Sequence, residues 1–271
     1  MELDPAALRE AYDAQLRAWV PDRLPPGVVV ESDGPLVRVT GLDKRGFVTY
    51  HSLGGLDGLE LDALIARQRD FFAARGEPVE WKLHGHDLPA DLPSRLRAAG
   101  FEPEEQETVV VGPAGPLALS SPALPEGVRL REVTVRADLD RVAAMEEAVW
   151  GDDRSHLAVG LESELAADPS GTTVVVAEDV SDGDPGTVVS AGWVRYVRGT
   201  SFATLWGGST LPQWRRRGIY RALVGYRASL AVSRGHDYLQ VDASDDSRPI
   251  LQRSGFVAVT STTPYVHTPP G

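Results

Sequence analysis

Two periodicities of apolar positions alternate along the chain and mark out its elements. Leu8, Tyr12, Gln15 and Trp19 fall at helical spacing, and Leu16 widens the stripe. Asp4 suits the capping position of that helix and Pro5 its first turn. Three runs with strand character follow: Val28-Val29-Val30-Glu31, Leu36-Val37-Arg38-Val39-Thr40 and Phe47-Val48-Thr49-Tyr50-His51. Asp33-Gly34 and Lys44-Arg45-Gly46 between them read as hairpin turns. The pattern then predicts a helix over 59–74 stopped by Gly76 and a strand over 79–83. A short helix over 92–99 ending at Gly100-Phe101 and a strand over 108–111 complete this half.

Residues 112–125 change character: they carry prolines and no charge, and read as a linker. Beyond it, strands are expected at 128–133, 172–177, 187–197, 202–206 and 238–243. Helices are expected at 138–150, 156–167, 218–233 and 247–254, with Gly255-Phe256 opening the last strands. Ser181-Asp182-Gly183-Asp184-Pro185-Gly186 reads as a turn. Ile219, Leu223, Tyr226 and Leu230 share one face of the 218–233 helix. The halves echo one another: Ala74-Arg75-Gly76 and Ser233-Arg234-Gly235 each precede a strand, then a short helix, then Gly-Phe. Self-similarity in ordered elements suggests a tandem, with units at 1–111 and 126–271.

The 271 residues are 42% hydrophobic and 24% charged, ordinary values for a folded protein with a sizeable core. The formal net charge of -12 disfavours broad contact with a nucleic-acid backbone and is compatible with a cationic small partner. With no cysteine, disulfides, thiolate nucleophiles, cysteine–zinc sites and an acyl-cysteine intermediate are excluded. Met1-Glu2-Leu3-Asp4-Pro5 lacks the pattern of a secretory signal, and no apolar run is long enough to span a bilayer. A cytoplasmic protein with no membrane partner is the expectation.

One segment departs from the acidic whole. Leu211-Pro212-Gln213-Trp214-Arg215-Arg216-Arg217-Gly218-Ile219-Tyr220-Arg221 lies between a strand and a helix. Unpaired backbone amides at a helix start, the helix dipole and adjacent arginines make such a loop a place for a pyrophosphate, and Gly218 lets a ligand approach the backbone. A solvated arginine cluster is the plainer reading of the same residues.

The segment resembles the acetyl-CoA signature of the GNAT N-acetyltransferases: Arg215, Gly218 and Tyr220 stand at its fixed positions, Tyr220 replacing the usual small residue. Val241-Asp242-Ala243-Ser244 and the stretch from Ser247 to Gly255-Phe256 resemble that family's fifth strand and following helix, and Trp206-Gly207-Gly208 is similar to strand ends in tandem members. The resemblance covers roughly 126–267. It implies an α/β (α+β) acyl-CoA N-acyltransferase fold, with a mixed, mostly antiparallel twisted sheet flanked by helices, here in two tandem lobes. It implies acetyl-CoA as co-substrate, no metal, and a small amine as acceptor, attacked directly after the fourth and fifth strands splay to admit the pantetheine arm. The implied coenzyme contacts are Thr210, Leu211, Arg215, Arg216, Arg217, Gly218, Ile219, Tyr220, Arg221 and Ser247, with backbone groups near Thr210 and Leu211 facing the pantetheine amides. The family's usual tyrosine acid falls at Leu251, so that acid is missing.

Three residues stand out as bases. Asp242 sits near the end of the splayed strand, where a carboxylate faces a thioester or merely caps a turn. Glu146 shares a helical stripe with Leu139, Val142 and Val149, and burial there would raise its pKa. His156 follows the segment where the family builds its acceptor pocket. Asp242 is the first choice for catalysis and Glu146 the second. In the first half, Gly54-Gly55-Leu56-Asp57-Gly58-Leu59-Glu60-Leu61 matches the loop but has no arginine, and its acids repel phosphate, which marks a degenerate copy. His84-Gly85-His86 lacks a third ligand and reads as a turn rather than a metal site. Besides the N-acyltransferase, a catalytically silent acyl-CoA sensor and a module binding a nucleotide or anionic partner remain open; competition by desulfo-CoA but not ATP separates the last from the first two.

Overall fold

A computed structural model describes residues 3–42, 44–181, 183 and 185–270; Met1, Glu2, Asp182 and Asp184 of the segments read above lie outside them. The opening helix forms as its cap dictates. The Asp4 carboxylate accepts the Ala6 N–H at 2.9 Å, and Leu8 and Tyr12 of α1 (Pro5–Gln15) are buried. The first half continues as β1 (Val29–Asp33), β2 (Leu36–Thr40), β3 (Gly46–Tyr50), α2 (Gly58–Ala73), β4 (Val79–His84), α3 (Leu92–Ala98), β5 (Glu102–Pro103) and β6 (Glu107–Pro113). Helix α4 (Ala114–Leu119) then occupies the expected linker, with Ala114 and Leu117 buried. The second half runs β7 (Val128–Val133), α5 (Arg136–Trp150), α6 (Ser155–Ala167), β8 (Thr172–Asp179), β9 (Thr187–Tyr196), β10 (Phe202–Thr210), α7 (Ile219–Ser233), β11 (Tyr238–Ala243), α8 (Arg248–Arg253) and β12 (Val257–His267).

Among the described residues all twelve strands belong to one sheet, ordered β1-β2-β3-β4-β12-β6-β11-β10-β9-β8-β7, with β5 paired to β12. Among these described strands only β3 with β4 and β10 with β11 run parallel. The expectation of a sheet for each lobe meets a specific departure. The last strand of each half has changed sides: β6 pairs with β11, placing Val109 opposite Asp242, while β12 pairs with β4, placing Tyr265 opposite Trp81. The exchanged strands also pair with each other. The edges on which two separate sheets would end are thereby joined, which removes two rows of unpaired backbone groups.

Two apolar clusters flank the exchange, each taking in a residue of the exchanged strand, Tyr265 in the first and Val110 in the second. Trp81, Phe72, Leu61, Leu96 and Phe101 pack in the first, and Val110, Leu205, Val224, Leu239 and Phe256 in the second. Helix α1 crosses the exchange. Tyr12 and Leu8 pack with Val109, Val111, Phe202 and Val259, Gln15 accepts the Ser201 N–H, and Trp19 donates to the Arg198 carbonyl.

Candidate functional site

Strands β10 and β11 stay paired only from Phe202 opposite Tyr238 to Thr204 opposite Gln240, and beyond that they part. Along the opening runs a groove of about 1520 Å³, larger than the usual small-molecule pocket. At one end lie Arg215, Arg216, Gly218, Ile219, Tyr220 and Arg221; at the other, Arg45, Glu80, Lys82, Glu105, Glu107 and Asp242.

The arginine end is a strained loop. After the 3-10 turn Pro212–Trp214, Arg216 and Gly218 both take left-handed backbone, at φ 62° and 85°. For Arg216 this conformation is uncommon and carries a cost, so the surrounding structure holds it there. The turn sets the loop across the start of α7, whose first amides lack helical partners. Arg215 donates its Nε–H to the Thr210 carbonyl at 3.0 Å, and Leu211 N–H is spent on Val189. Those two backbone groups, expected to face a pantetheine arm, are therefore already paired within the protein. Arg217 lies over the Trp214 ring at 4.7 Å and is not among the groove-lining residues, unlike its two neighbours. The Tyr220 ring does not crowd the loop. It lies against the β10 backbone, where a Cβ on Gly208 would come within 2.8 Å of it, and burial pushes its phenol up. Ser247, at the start of α8, lines the groove opposite.

Midway along the groove β10 carries a bulge between Gly207 and Ser209. Gly207 and Gly208 adopt φ 65° and 93°, which a side chain would disfavour. Ser209 Oγ–H and Trp150 Nε1–H both donate to Glu146 Oε2, at 2.8 and 2.9 Å. Glu146 is 4% exposed, and its Oε1 has no partner among the described residues. Burial raises its pKa, while the Ser209 and Trp150 hydrogen bonds hold it back. Both donors line the groove, so a buried carboxylate stands one hydrogen bond behind its wall.

Asp242 stands further along, and both its oxygens are engaged. Lys82 Nζ donates to Oδ2 and Gln240 Nε2 to Oδ1 at 2.7 Å. For Lys82, burial opposes the charge, but the Asp242 carboxylate outweighs it and the pKa rises. Glu107, delivered by the exchanged strand β6, is half-buried beside them. Burial first, then Asp242, raises its pKa to about 7, against the pull of Lys82. Arg45 pairs with Glu80 and Glu104 at 2.8 and 2.7 Å. His156 is half-buried on α6 and does not line the groove.

The sequence reading missed Lys82 and Glu107. The alternation of β4, with Trp81 inward and Lys82 on the other face, contained a signal for the first; nothing in the chain order brings β6 beside β11. In the first half the equivalent opening between β3 and β4 is closed. Asp87 accepts from Tyr50 OH at 2.5 Å, from His84 N–H at 2.8 Å and from Arg17 at 2.5 Å. His84 bonds Tyr12 and His86 bonds Asp13 and Thr260. Among the described residues no group of three side chains is placed to hold a metal, and no helix is long and apolar enough to cross a membrane.

No protein-family model and no curated protein matches the sequence. Solved structures do match. A GCN5-related N-acetyltransferase from Kribbella flavida superposes with a TM-score of 0.65 at 17% identity, covering 98% of this chain and 96% of that one. A tandem GNAT protein from the clavulanic acid biosynthesis pathway gives 0.63 at 16%, covering 92% and 86%. A GCN5-related N-acetyltransferase from Sphaerobacter thermophilus gives 0.61 at 15%, covering 89% and 83%. The chain has the mixed-sheet fold of the GNAT acyl-CoA N-acyltransferases.

Proposed function

We propose that the protein is an acyl-CoA-dependent N-acyltransferase that moves an acetyl group from acetyl-CoA to a primary amine. The observation that carries the reading is one continuous groove. It joins an arginine loop at a helix start to a buried, partly unsatisfied carboxylate, past a strand bulge where backbone approaches closely. The residues suit the coenzyme. The Arg215–Gly218 loop and the start of α7 favour a pyrophosphate, and the parted strands leave room for an extended arm beside it. In this reading the N-terminal unit, residues 1–111, is a degenerate copy. Its strand opening is filled by Asp87, Arg17 and Tyr50, while residues 126–271 bind the coenzyme and 112–125 join the two.

The amine attacks the thioester carbonyl carbon, the carbon–sulfur bond breaks, and the nitrogen loses a proton. Glu146 is the acceptor of that proton, through Ser209 or one water, since its Oε1 has no partner among the described residues and burial raises its affinity for protons. Asp242, the first choice on sequence, holds Lys82 and shapes the acceptor end. Isothermal titration with acetyl-CoA, desulfo-CoA and ATP tests the coenzyme, and an amine panel followed by thiol release tests the reaction. Binding of ATP with no binding of either coenzyme form would remove the reading.

A further inference from the structure

Arg227 is 1% exposed, yet no carboxylate pairs with it among the described residues. It sits on α7 and reaches under the β10 bulge. Its Nε–H donates to the Leu223 carbonyl at 3.1 Å. Nη1 donates to the carbonyls of Trp193 and Trp206 at 3.2 and 3.0 Å, and Nη2 has no hydrogen-bond partner among the described residues. The protein has cleared space for this group. A Cβ on Gly192 would lie 2.6 Å from Nη1, and one on Gly208 would lie 3.8 Å from Nη2. Burial lowers its pKa to about 10, so the guanidinium stays charged at neutral pH. A buried cation without a counter-ion is costly unless something compensates. Carbonyl dipoles of β9 and β10 do so in part, and its field falls on Gly207 and Gly208, which form the groove wall.

Leu251 poses the complementary problem. It is fully buried in the apolar cluster of the second half, so no acid stands there to protonate a departing sulfur. We propose that Arg227 is the positioning residue that stabilises the coenzyme A thiolate electrostatically, through the Gly207–Gly208 bulge, so that the sulfur leaves as an anion without a proton donor. The inference rests on the acyl-CoA reading above. As the amine nitrogen bonds to the carbonyl carbon, the carbon–sulfur electron pair goes to sulfur. The amine proton goes to Glu146 or water, and the thiolate leaves the site to be protonated in solvent. A fixed charge in a low-dielectric wall needs no reorganisation when negative charge develops near it.

The test needs no acceptor. Coenzyme A bound to the protein is titrated by thiolate ultraviolet absorbance, beside free coenzyme A in the same buffer. The bound thiol is expected to ionise at a pH about one unit lower than the free thiol. That difference should persist as salt is raised, since a buried charge escapes the screening that weakens exposed arginines. Arg227→Met should remove the difference while calorimetry still records coenzyme binding; Arg227→Lys should keep part of it. A wild-type midpoint at or above that of free coenzyme A overturns the proposal, as does a lowered midpoint unchanged in Arg227→Met. If Arg227→Met does not fold, Arg227→Lys and the wild-type salt series decide. Absence of any coenzyme binding to the wild type overturns the acyl-CoA reading instead, and this inference with it.

Discussion

Lys82 and Asp242, 160 residues apart in the chain, meet as an ion pair with each side chain 17% exposed. The pair joins β4 of the first half to β11 of the second across the two exchanged strands. Removing one partner leaves the other's charge uncompensated. Asp242→Asn and Lys82→Met should each destabilise the protein by about 1–3 kcal/mol, somewhat below the 3–5 seen for fully buried pairs. The double variant should lose less than the sum of the two. Urea unfolding of the four proteins measures this.

The two sides of the arginine loop should respond differently. Arg216 lines the groove and Arg217 is stacked on Trp214 away from it. Arg216→Glu should weaken acetyl-CoA binding by about 1–3 kcal/mol, the range for a lost charge-assisted hydrogen bond with a reversed charge. Arg217→Glu should cost well under half of that. Calorimetry with acetyl-CoA reads both, and equal losses would count against this placement of the phosphates.

Glu146→Gln keeps shape and removes basicity. The maximal rate with a working amine should fall by roughly 10²–10⁴, with coenzyme affinity nearly unchanged. Because burial raises the Glu146 pKa, the acidic limb of the wild-type rate profile should lie above the ordinary carboxylate range, and the variant should lack it. A variant as fast as the wild type would return the search to Asp242, or to solvent.

Glu107 makes stability depend on pH. Its pKa rises from 4.5 to about 7 on folding, through burial and the nearby Asp242. Between those values the folded chain keeps a proton that the unfolded chain has released. Stability should therefore fall as pH rises from about 4.5 to 7 and level off above. The contribution is roughly 1–3 kcal/mol. Glu107→Gln should flatten it and gain stability relative to the wild type at pH 8, but not at pH 4; urea midpoints at the two values supply the comparison.

Much of the fold was legible because it is local. The Asp4 cap, the strand runs of β2 and β7 and the Gly-Phe ends of α3 and α8 each follow from neighbours in sequence. Helix α4 was not, since Gly112 to Pro116 carries the composition of a linker, yet Ala114 and Leu117 find apolar surface on the second half. The site was legible where it is contiguous, from Arg215 to Tyr220. It was not where distant strands assemble it. Glu107 and Lys82 reach the groove only through pairings with β11 and β12, and no periodicity encodes which strand lies beside which. Arg227 had a faint signal: it stands four residues after Leu223, on the inner face of α7.

The strand exchange also orders events in time. Thr262 donates to the Leu83 carbonyl across 179 residues of chain, so β4, already beside β3, acquires its second neighbour only when β12 has been made. At about 5–20 residues per second, the first half waits roughly ten seconds or more on the ribosome with that edge open. Until β12 emerges, that edge of β4 presents bare amides and carbonyls to whatever passes, and contacts of such long range close slowly. Helix α1 is made before β4, and its Tyr12 hydroxyl bonds His84 at the end of that strand, a contact that can form before the later partners of α1, Phe202 and Val259, exist.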